Sequence, residues 1–466
     1  MAAVWAVLAL TASAAAQTDI TFNISLLGQS NPKNIMSGFH YGDVWAEGNY
    51  AYVGSDRGGG GVTIYDISNP FSPQYISEYA GSELEDAVVI NGIGYFGSDV
   101  NNSTPATGTG VDIVDLSNPY SPTRMSRIDA SLGGHHKVHT LSVDAGFLYT
   151  TDNATNVVKV FDVSNPYAPQ FKWNISLGLP SNMASHEVVA QDGRLYVATK
   201  NNSDSVNGWT HIYDVSNVGA SQPALMKAFN TGGGTHTSMP SPDGNYLVVT
   251  QERSNGQLRI YDISMIDQHN DPDAPVLLTT MTRSSLGIQA HSPHHSHWHG
   301  DVLFVSWYDA GILTFNVADP ANPIWTGAFD TYPGTSSNYN GAWGIFPLLG
   351  HEKVLISDRT RGLLIVDATL ASPSADFDQN GTVDGADLLR WQRGLGTTNG
   401  APHVLGDANR DGTVNNLDLD VWQIQFGGPG HHYAFGAIGA VPEPLTGRLL
   451  AAAIASLAVT ARRGRR

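Results

Sequence analysis

Two twelve-residue segments near the end of the chain, 376–387 and 407–418, carry oxygen-bearing side chains in the same order. In each segment such side chains stand at positions 1, 3, 5, 9 and 12, and a Gly stands at position 6. Hard oxygen ligands in this order, with a glycine for the sharp turn, are the pattern of a calcium-binding loop. The spacing therefore predicts two calcium ions, one in each loop.

A second candidate site consists of histidines that precede short apolar stretches. Imidazole and carboxylate groups together are ligands for zinc, iron, manganese or copper. The pattern predicts a transition-metal or small-ligand site, or histidines that bond neighbouring backbone groups as a packing feature; a pH sensor is a third interpretation. The histidines are His139, His186, His236 and His294, and the same place earlier in the chain is held by Asp43 and Asp86.

These side chains need a scaffold, and the chain supplies a repeat with a period near 50 residues. Its core is a β-branched strand that is ended by an Asn-Pro or Asp-Pro turn, as in Ile64-Tyr65-Asp66-Ile67-Ser68-Asn69-Pro70. A second strand precedes each copy, and Gly-containing turns indicate antiparallel meanders. Such a period is typical of a β-propeller with one blade per repeat. The central Asp or Asn of the copies stands at positions 66, 115, 162, 214, 262, 316 and 367.

Seven copies predict an all-β fold, a seven-bladed β-propeller. We expect the segment Ile20–Leu27 to complete the last blade and close the ring, which removes open sheet edges. Six blades plus an irregular segment is the alternative, because the copies at Asn316 and Asp367 are the weakest. First strands of blades line the central channel, so the six His and Asp side chains are expected to converge at one mouth of it.

The repeated phrase resembles the LVIVD repeat. Residues 341–347 and 357–363 resemble the closing segment of "choice-of-anchor B" propeller proteins, which are bacterial surface or secreted proteins with varied C-terminal anchors. The resemblance covers about residues 20–368. It implies a propeller, here residues 17–370, and a location outside the cytoplasm, but no particular reaction.

Each calcium-type loop leads into one short amphipathic stretch, 388–396 or 419–427, and Asp rather than Glu stands at position 12. This arrangement resembles a type I dockerin over residues 374–427. The resemblance implies a small α-helical domain that folds with its ions and binds a cohesin-like or other surface protein. The positions that would choose the partner are Leu388-Leu389 and Leu419-Asp420.

The same resemblance assigns the calcium ligands, with each threonine binding through its carbonyl oxygen. Those of the first ion are Asp376, Asp378, Asn380, Thr382, Asp384 and Asp387. Those of the second are Asp407, Asn409, Asp411, Thr413, Asn415 and Asp418.

Both ends of the chain carry the marks of export. An apolar run followed by three alanines before Gln17 predicts a signal peptide over residues 1–16; a buried N-terminal element is the alternative. Beyond a linker, 428–440, residues 441–466 hold a Pro-Glu-Pro motif, an apolar helix and a basic end, and resemble the PEP-CTERM sorting signal. That resemblance implies an exosortase as partner, a transient membrane anchor and removal of the tail; a stable anchor is the alternative.

Composition narrows the chemistry. A net charge of −18 makes nucleic acid a poor partner and favours cations. The chain has no cysteine, which excludes disulfides and thiolate metal sites. The sequence lacks a Gly-x-Ser-x-Gly elbow, and His186-Glu187 lacks the second His of a zinc-protease helix.

Together these features predict an exported protein of the cell surface, outer envelope or extracellular space with a binding or scaffold role. The propeller would engage a protein or glycan ligand and be displayed through the calcium-dependent module. The alternative is an extracellular hydrolase or metal-dependent enzyme with its site at the His-lined channel mouth.

Overall fold

The structure is a computed structural model that describes residues 20–33, 38–100, 109–180, 182–200, 207–266, 275–333, 339–398 and 400–427. Within these residues, seven four-stranded antiparallel sheets follow one another along the chain. Each is one blade, so the prediction of a seven-bladed propeller is confirmed and the six-bladed alternative is wrong. The predictions for residues 1–16, 428–440 and 441–466 lie outside the described residues.

Strands are numbered in chain order, and blade 7 combines three C-terminal strands with the N-terminal strand β1. Blades 1 and 2 contain β2–β9: His40–Glu47, Tyr50–Arg57, Val62–Asp66, Gln74–Tyr79; Leu84–Ile90, Ile93–Ser98, Val111–Asp115, Thr123–Ile128. Blades 3 and 4 contain β10–β17: Leu141–Asp144, Phe147–Thr150, Val157–Asp162, Gln170–Ser176; Ala184–Gln191, Arg194–Lys200, Gly208–Asp214, Ala224–Asn230. Blades 5 and 6 contain β18–β25: Thr235–Pro240, Tyr246–Gln251, Gln257–Asp262, Val276–Thr282; Ser296–His299, Val302–Ser306, Ile312–Asn316, Ile324–Phe329. Blade 7 contains β26–β28 and β1: Ala342–Phe346, Val354–Asp358, Gly362–Asp367; Ser25–Ser30.

The ring closes as predicted, because β1 pairs antiparallel with β28 at the outer edge of blade 7. The strand begins at Ser25, however, and not at Ile20. Asn23 adopts a positive φ of 56° and its side-chain amide donates to the carbonyl of Thr326 at 2.8 Å. This turn ends the preceding segment, where Phe22 pairs with Ala328 of blade 6. The N-terminal segment therefore contacts two blades.

The residue that ends the third strand of each blade builds the following turn. Its side-chain oxygen accepts a hydrogen bond from the backbone N–H two residues further on, over 2.8–3.0 Å in all seven blades. Asp and Asn favour such turns because their short side chains can reach the local backbone. Upstream of this turn the third strand is largely buried, and Ile64 and Val160 are fully so. The repeated sequence is thus a buried strand followed by the Asp or Asn that ends it and forms the turn.

The helices are short and lie mainly in the C-terminal part of the described chain, which we call the loop module (residues 374–427). They are α1 at Arg283–Leu286, α2 at Gly385–Gly394 and α3 at Asn416–Gln425, with 3₁₀ turns at Ala130–Leu132, Thr369–Ala371 and His403–Leu405. Among the described residues, no helix combines the length and apolar character needed to span a membrane.

The topology separates the two candidate sites. The first strand of each blade starts at one face of the ring, which we call the funnel face, and the third strand ends at the opposite face. The loop module follows β28 and therefore leaves from that opposite face. There the side-chain amide of Asn316, at the end of β24, donates to the carbonyl of Asn409 at 3.2 Å.

Candidate functional site

All six predicted His and Asp residues line one cavity of about 130 Å³ at the channel mouth, which we call the funnel. These residues are Asp43, Asp86, His139, His186, His236 and His294. The sequence-based prediction that they converge agrees with this placement. The cavity also contains residues that the sequence pattern did not single out: Glu85, Thr140, Lys200, Glu252, His295 and Trp343.

The strand register corrects the equivalence assumed between the aspartates and the histidines. Asp86 pairs with Gly97, whereas Thr237, the residue after His236, pairs with Thr250 at the same place in its blade. Asp43 and Asp86 therefore lie one residue beyond the histidine position. Bulges at the start of the first strands, such as that between Leu84 and Asp86, cause the offset. The histidine position itself is held by Gly42, Glu85, His139, His186, His236, His294 and Trp343.

Four imidazole rings from consecutive blades form an arc around the funnel. The ring centroids are 4.3 Å apart from His139 to His186, 4.2 Å from His186 to His236 and 4.2 Å from His236 to His294. Burial lowers the pKa of His186, His236 and His294 well below the usual range, and the neighbouring histidines and Lys200 add to the effect. Three adjacent imidazoles are therefore neutral at physiological pH.

The arc ends in a charged histidine. Burial opposes protonation of His139, but Glu85 and Asp99 outweigh it and raise its pKa to about 10. Its Nδ1 lies 3.0 Å from Asp99 Oδ2, and its Nε2 lies 2.9 Å from Nε2 of His186. A charged His139 donates at both nitrogens, so His186 accepts through Nε2.

A second charged histidine, His295, lies beside the arc. Burial again disfavours the charge, but Glu187 and Asp43 raise the pKa to about 10. Its Nδ1 is 3.3 Å from Asp43 and its Nε2 is 3.5 Å from Glu187. The two aspartates of blades 1 and 2 thus have different environments, because Asp86 instead accepts the Leu141 N–H at 2.6 Å and burial raises its pKa to about 8.

Hydrogen bonds fix the tautomers of two neutral histidines. His294 Nδ1 is 2.9 Å from the carbonyl of Trp343, which can only accept, so Nδ1 carries the proton. His236 Nδ1 is 3.1 Å from Thr237 Oγ1, whose own hydroxyl donates to the His294 carbonyl at 3.0 Å. His236 therefore also donates through Nδ1. In both rings the lone pair of Nε2 is left available, a common arrangement for histidine ligands.

A carboxylate completes this side of the funnel. Glu252 Oε2 lies 3.7 Å from Nε2 of His236 and 2.7 Å from the ammonium of Lys200, and Oε1 accepts the Tyr308 hydroxyl at 2.6 Å. Burial opposes ionisation, but Lys200 lowers the pKa of Glu252 to about 2. An ionised carboxylate and neutral imidazoles side by side can bind a cation.

A larger groove of about 520 Å³ lies between blades 3 and 4, with Leu177, Pro180 and Met183 in its lining. His211 also lines it, and burial lowers its pKa to about 4. Its lining is mainly apolar, so the clustered chemistry of the described residues lies in the funnel.

In the loop module, the first loop encloses its acidic residues. Carboxylate oxygens of Asp376, Asp378 and Asp387 lie within 4.8 Å of one another. Asp387 is fully buried and accepts the backbone N–H groups of Phe377 at 2.7 Å and Asp384 at 2.9 Å. Burial raises the pKa of Asp387. Like charges held this close, partly buried, suit a hard divalent cation.

Comparison with known families supports this reading of the module. Residues 40–80 and 106–130 match the LVIVD repeat, and residues 374–422 match the dockerin type I domain. The chain contains LVIVD repeats and a type I dockerin. Dockerins of this type bind calcium and associate with cohesins. The comparison with curated proteins found no match.

The chain is similar to several solved structures. A periplasmic gluconolactonase from Pseudomonas aeruginosa is similar with a TM-score of 0.53 and 14% identity, over 72% of this chain and 93% of that one. The β-propeller domain of Cps50 from Myceliophteria thermophila has a TM-score of 0.49 and 13% identity, over 74% and 98% of the two chains. At such identities the similarity concerns the fold alone.

The second loop of the dockerin repeats the geometry of the first. Asp407 accepts the N–H groups of Asp411 at 3.1 Å and Gly412 at 2.9 Å, and buried Asp418 accepts those of Ala408 at 2.7 Å and Asn415 at 2.8 Å. Burial raises the pKa of Asp407 to about 6. The residues fit calcium. Arg410, the fourth residue of this loop, carries a positive charge that would repel the ion, whereas the first loop has Gln379 at this position.

Position 9 of each dockerin loop has a second role. Asp384 and Asn415 are the N-caps of α2 and α3, where their side chains accept the N–H groups of Ala386 and Leu417, both at 2.7 Å. Other predicted ligands hold the loop turn, since Asn380 accepts the N–H of Thr382 at 2.9 Å and Asp411 that of Thr413 at 2.7 Å. The side-chain amide of Asn409 donates a hydrogen bond to the Asp411 carboxylate at 3.1 Å.

The two dockerin halves are joined by tryptophans. Trp391 of α2 donates to the carbonyl of Asn415 at 2.8 Å, and Trp422 of α3 donates to the carbonyl of Asp384 at 2.9 Å. Each helix therefore binds position 9 of the opposite loop. This reciprocal pair explains why a tryptophan stands four residues after each loop.

The predicted partner positions of the dockerin divide into two classes. Leu388 and Leu419 pack against its small core, whereas Leu389 is 51% exposed and Asp420 is exposed. A helix presents successive residues in different directions, so one residue of each predicted pair faces inward. Leu389 and Asp420 are the members available to a partner.

Proposed function

We propose that this is an exported binding or scaffold protein whose propeller is displayed by docking to a cohesin-bearing partner. The observation that carries the proposal is the dockerin, with both loops folded around acidic side chains, on the face of the ring opposite the funnel. A cohesin bound to α2 and α3 leaves the funnel face open. The propeller face is then free to bind a protein or glycan.

Two calcium ions are part of this proposal. The first would be held by the residues of loop 376–387 and the second by those of loop 407–418. The dockerin core is small, with Phe377, Val383 and Trp391 among its buried residues. Such a core contributes little stability by itself, so ion binding would supply much of the folding free energy.

Export and sorting complete the proposal. The dockerin favours an extracellular or cell-surface location. The signal peptide at residues 1–16 and a tail at residues 441–466 handled by an exosortase are the proposed route, with the tail as a transient anchor. Intact-mass measurement on protein from its native host tests the route, since retention of Arg466 would contradict processing.

The enzyme alternative would place a substrate in the funnel. Its volume of about 130 Å³ is smaller than the ~300 Å³ at which typical small-molecule sites begin. An ion, a few waters or a small anion fit there better than a sugar. The funnel volume therefore favours the display role over the enzyme alternative.

Calcium-dependent capture on resin-bound cohesin domains tests the docking. The full chain should bind at least one cohesin in calcium and be released by a chelator. Leu389→Asp should weaken capture at least tenfold, whereas Leu225→Asp, at a propeller side chain with 54% exposure, should not. Capture that is equal with calcium and with chelator would refute the proposal.

A further inference from the structure

The funnel brings metal-ligand atoms from separate blades together. His186 lies on β14, His236 on β18, and Glu252 directly follows β19. One ligand atom from each lies within 4.8 Å of the other two, and His294 comes within the same distance of His236. All four side chains are largely buried, with His294 at 1% and His186 at 2% exposure.

We propose that the funnel binds one divalent transition-metal ion through His186, His236 and Glu252, with His294 as a fourth ligand. Imidazole nitrogen and carboxylate oxygen together suit zinc, manganese or iron(II). This site is independent of docking, because the dockerin loops offer only oxygen ligands and leave from the opposite face.

The distances require little movement. Zinc bonds of about 2.0–2.1 Å in a tetrahedral site place ligand atoms about 3.4 Å apart. His236 Nε2 and Glu252 Oε2 are already 3.7 Å apart. Within the triad of His186, His236 and Glu252, no two ligand atoms need to approach by more than about 1.4 Å.

Two of the proposed ligands already have the tautomer that metal binding through Nε2 requires. His236 and His294 donate through Nδ1 to Thr237 and to the Trp343 carbonyl, so each presents an unprotonated Nε2. Nε2 of His294 is buried and has no hydrogen-bond partner among the described residues. A buried polar atom without a partner is costly, and a metal bond would satisfy it.

Two neighbouring side chains contact proposed ligand atoms and would compete with the ion for them. Lys200 holds Glu252 at 2.7 Å, and His139 holds Nε2 of His186 at 2.9 Å. Binding would move the ammonium away from Oε2 and release the proton between the two imidazoles. Lys200 is a fixed positive charge beside the ion, so its removal should strengthen binding.

The space allows an ion with water ligands. A volume of about 130 Å³ corresponds to roughly four waters at ~30 Å³ each. An ion in the funnel could therefore keep open positions for water or a small anion.

Calorimetric titration tests the proposal on the full chain, purified without a histidine tag and saturated with calcium so that the dockerin loops are filled. Zinc, manganese and cobalt(II) are titrated separately. At least one of them should bind with a stoichiometry of one per chain. Cobalt should give the visible absorption of a nitrogen-ligated ion, which does not depend on any variant.

Matched variants assign the site. His236→Ala should weaken binding at least tenfold, whereas His211→Ala, at an equally buried histidine outside the funnel, should not. Lys200→Met should tighten it. If His236→Ala does not fold, the cobalt spectrum and the Lys200→Met titration still decide. Absence of transition-metal binding to the calcium-saturated chain, or equal affinity of the folded His236→Ala and wild-type chains, overturns the proposal.

Discussion

At the residue scale, the side chain that ends each third strand combines two functions in one position. It terminates a buried strand and caps the next turn through one carboxylate or amide oxygen. Blade 6 uses Asn316 for this bond, at 3.0 Å, while the other blades use Asp. The turn therefore requires an oxygen acceptor, and a negative charge strengthens the bond without being required for it.

We expect Asp162→Ala to lower the free energy of unfolding by about 1 kcal/mol, the usual contribution of one hydrogen bond. Asp162→Asn should stay close to wild type, because Asn316 performs the same role. Denaturant unfolding of both variants measures the difference. Equal losses for Ala and Asn would show that charge matters here.

Acid should weaken these turns. Hydrogen bonds from Ser68 and Ser117 lower the pKa of Asp66 and Asp115, and the same holds for Asp162 and Asp214 with their serines. A lowered folded-state pKa gives stability that is present above the unfolded pKa of about 3.9 and is lost as the pH falls through the folded value. Asp214 is exposed and the other three carboxylates are partly exposed, so each effect is small.

Melting curves between about pH 5 and pH 2 measure this loss. A variant with Asn at positions 66, 115, 162 and 214 should lose less stability over this range than wild type. An identical acid dependence in both proteins would locate the sensitivity elsewhere.

The sequence located candidate residues where a side chain repeats beside an apolar strand. His139, His186 and His236 could be found because each precedes such a strand. Glu187 and Glu252 were missed, since a carboxylate beside a strand end is common and its meaning depends on the register. The bulges that set this register cannot be read from hydrophobic alternation.

At the element scale, the reciprocal tryptophan bonds couple the two halves of the dockerin. A loop that loses its ion frees its position-9 residue, which caps one helix and accepts the tryptophan of the other. Calcium removal should therefore lower helicity in α2 and α3 together and shift tryptophan emission, while the β signal of the propeller persists. Circular dichroism and fluorescence with and without chelator measure this, and unchanged helicity would contradict it.

Variants in one loop at a time separate the calcium binding of the two loops. Asp387→Ala and Asp418→Ala should each reduce calcium stoichiometry from two to one, measured by titration of the full chain. We also expect the second loop to bind more weakly, because Arg410 lies close to Asp407. Equal affinities of the two single-loop variants would contradict this electrostatic ranking.

At the scale of the whole molecule, the ring is closed by β1. Deletion through residue 30 should expose the edge of β28, lower the melting temperature and cause association, because an open edge pairs with other chains. Deletion through residue 19 is the matched control and should leave the fold intact. Size-exclusion chromatography and thermal melting compare the two, and a monomeric, equally stable product of the longer deletion would contradict the role of β1.

The architecture was accessible from the sequence because each repeat is one blade and the period counts them. The start of β1 was not, since it depends on a turn at Asn23 held by Thr326 of a distant blade. The contact between Asn316 and Asn409 was equally hidden, because it joins two modules whose patterns are independent.

The position of β28 has a mechanical consequence. The chain passes from its end through the 3₁₀ turn Thr369–Ala371 into the dockerin, and β28 lies between β27 and β1 with five paired residues on each side. Tension applied through a docked partner would pull along this strand and load both hydrogen-bonded ladders in shear at the same time. The force would be shared between the first and last segments of the ring. The pairing of β1 with β28, which closes the propeller, would therefore also resist this load.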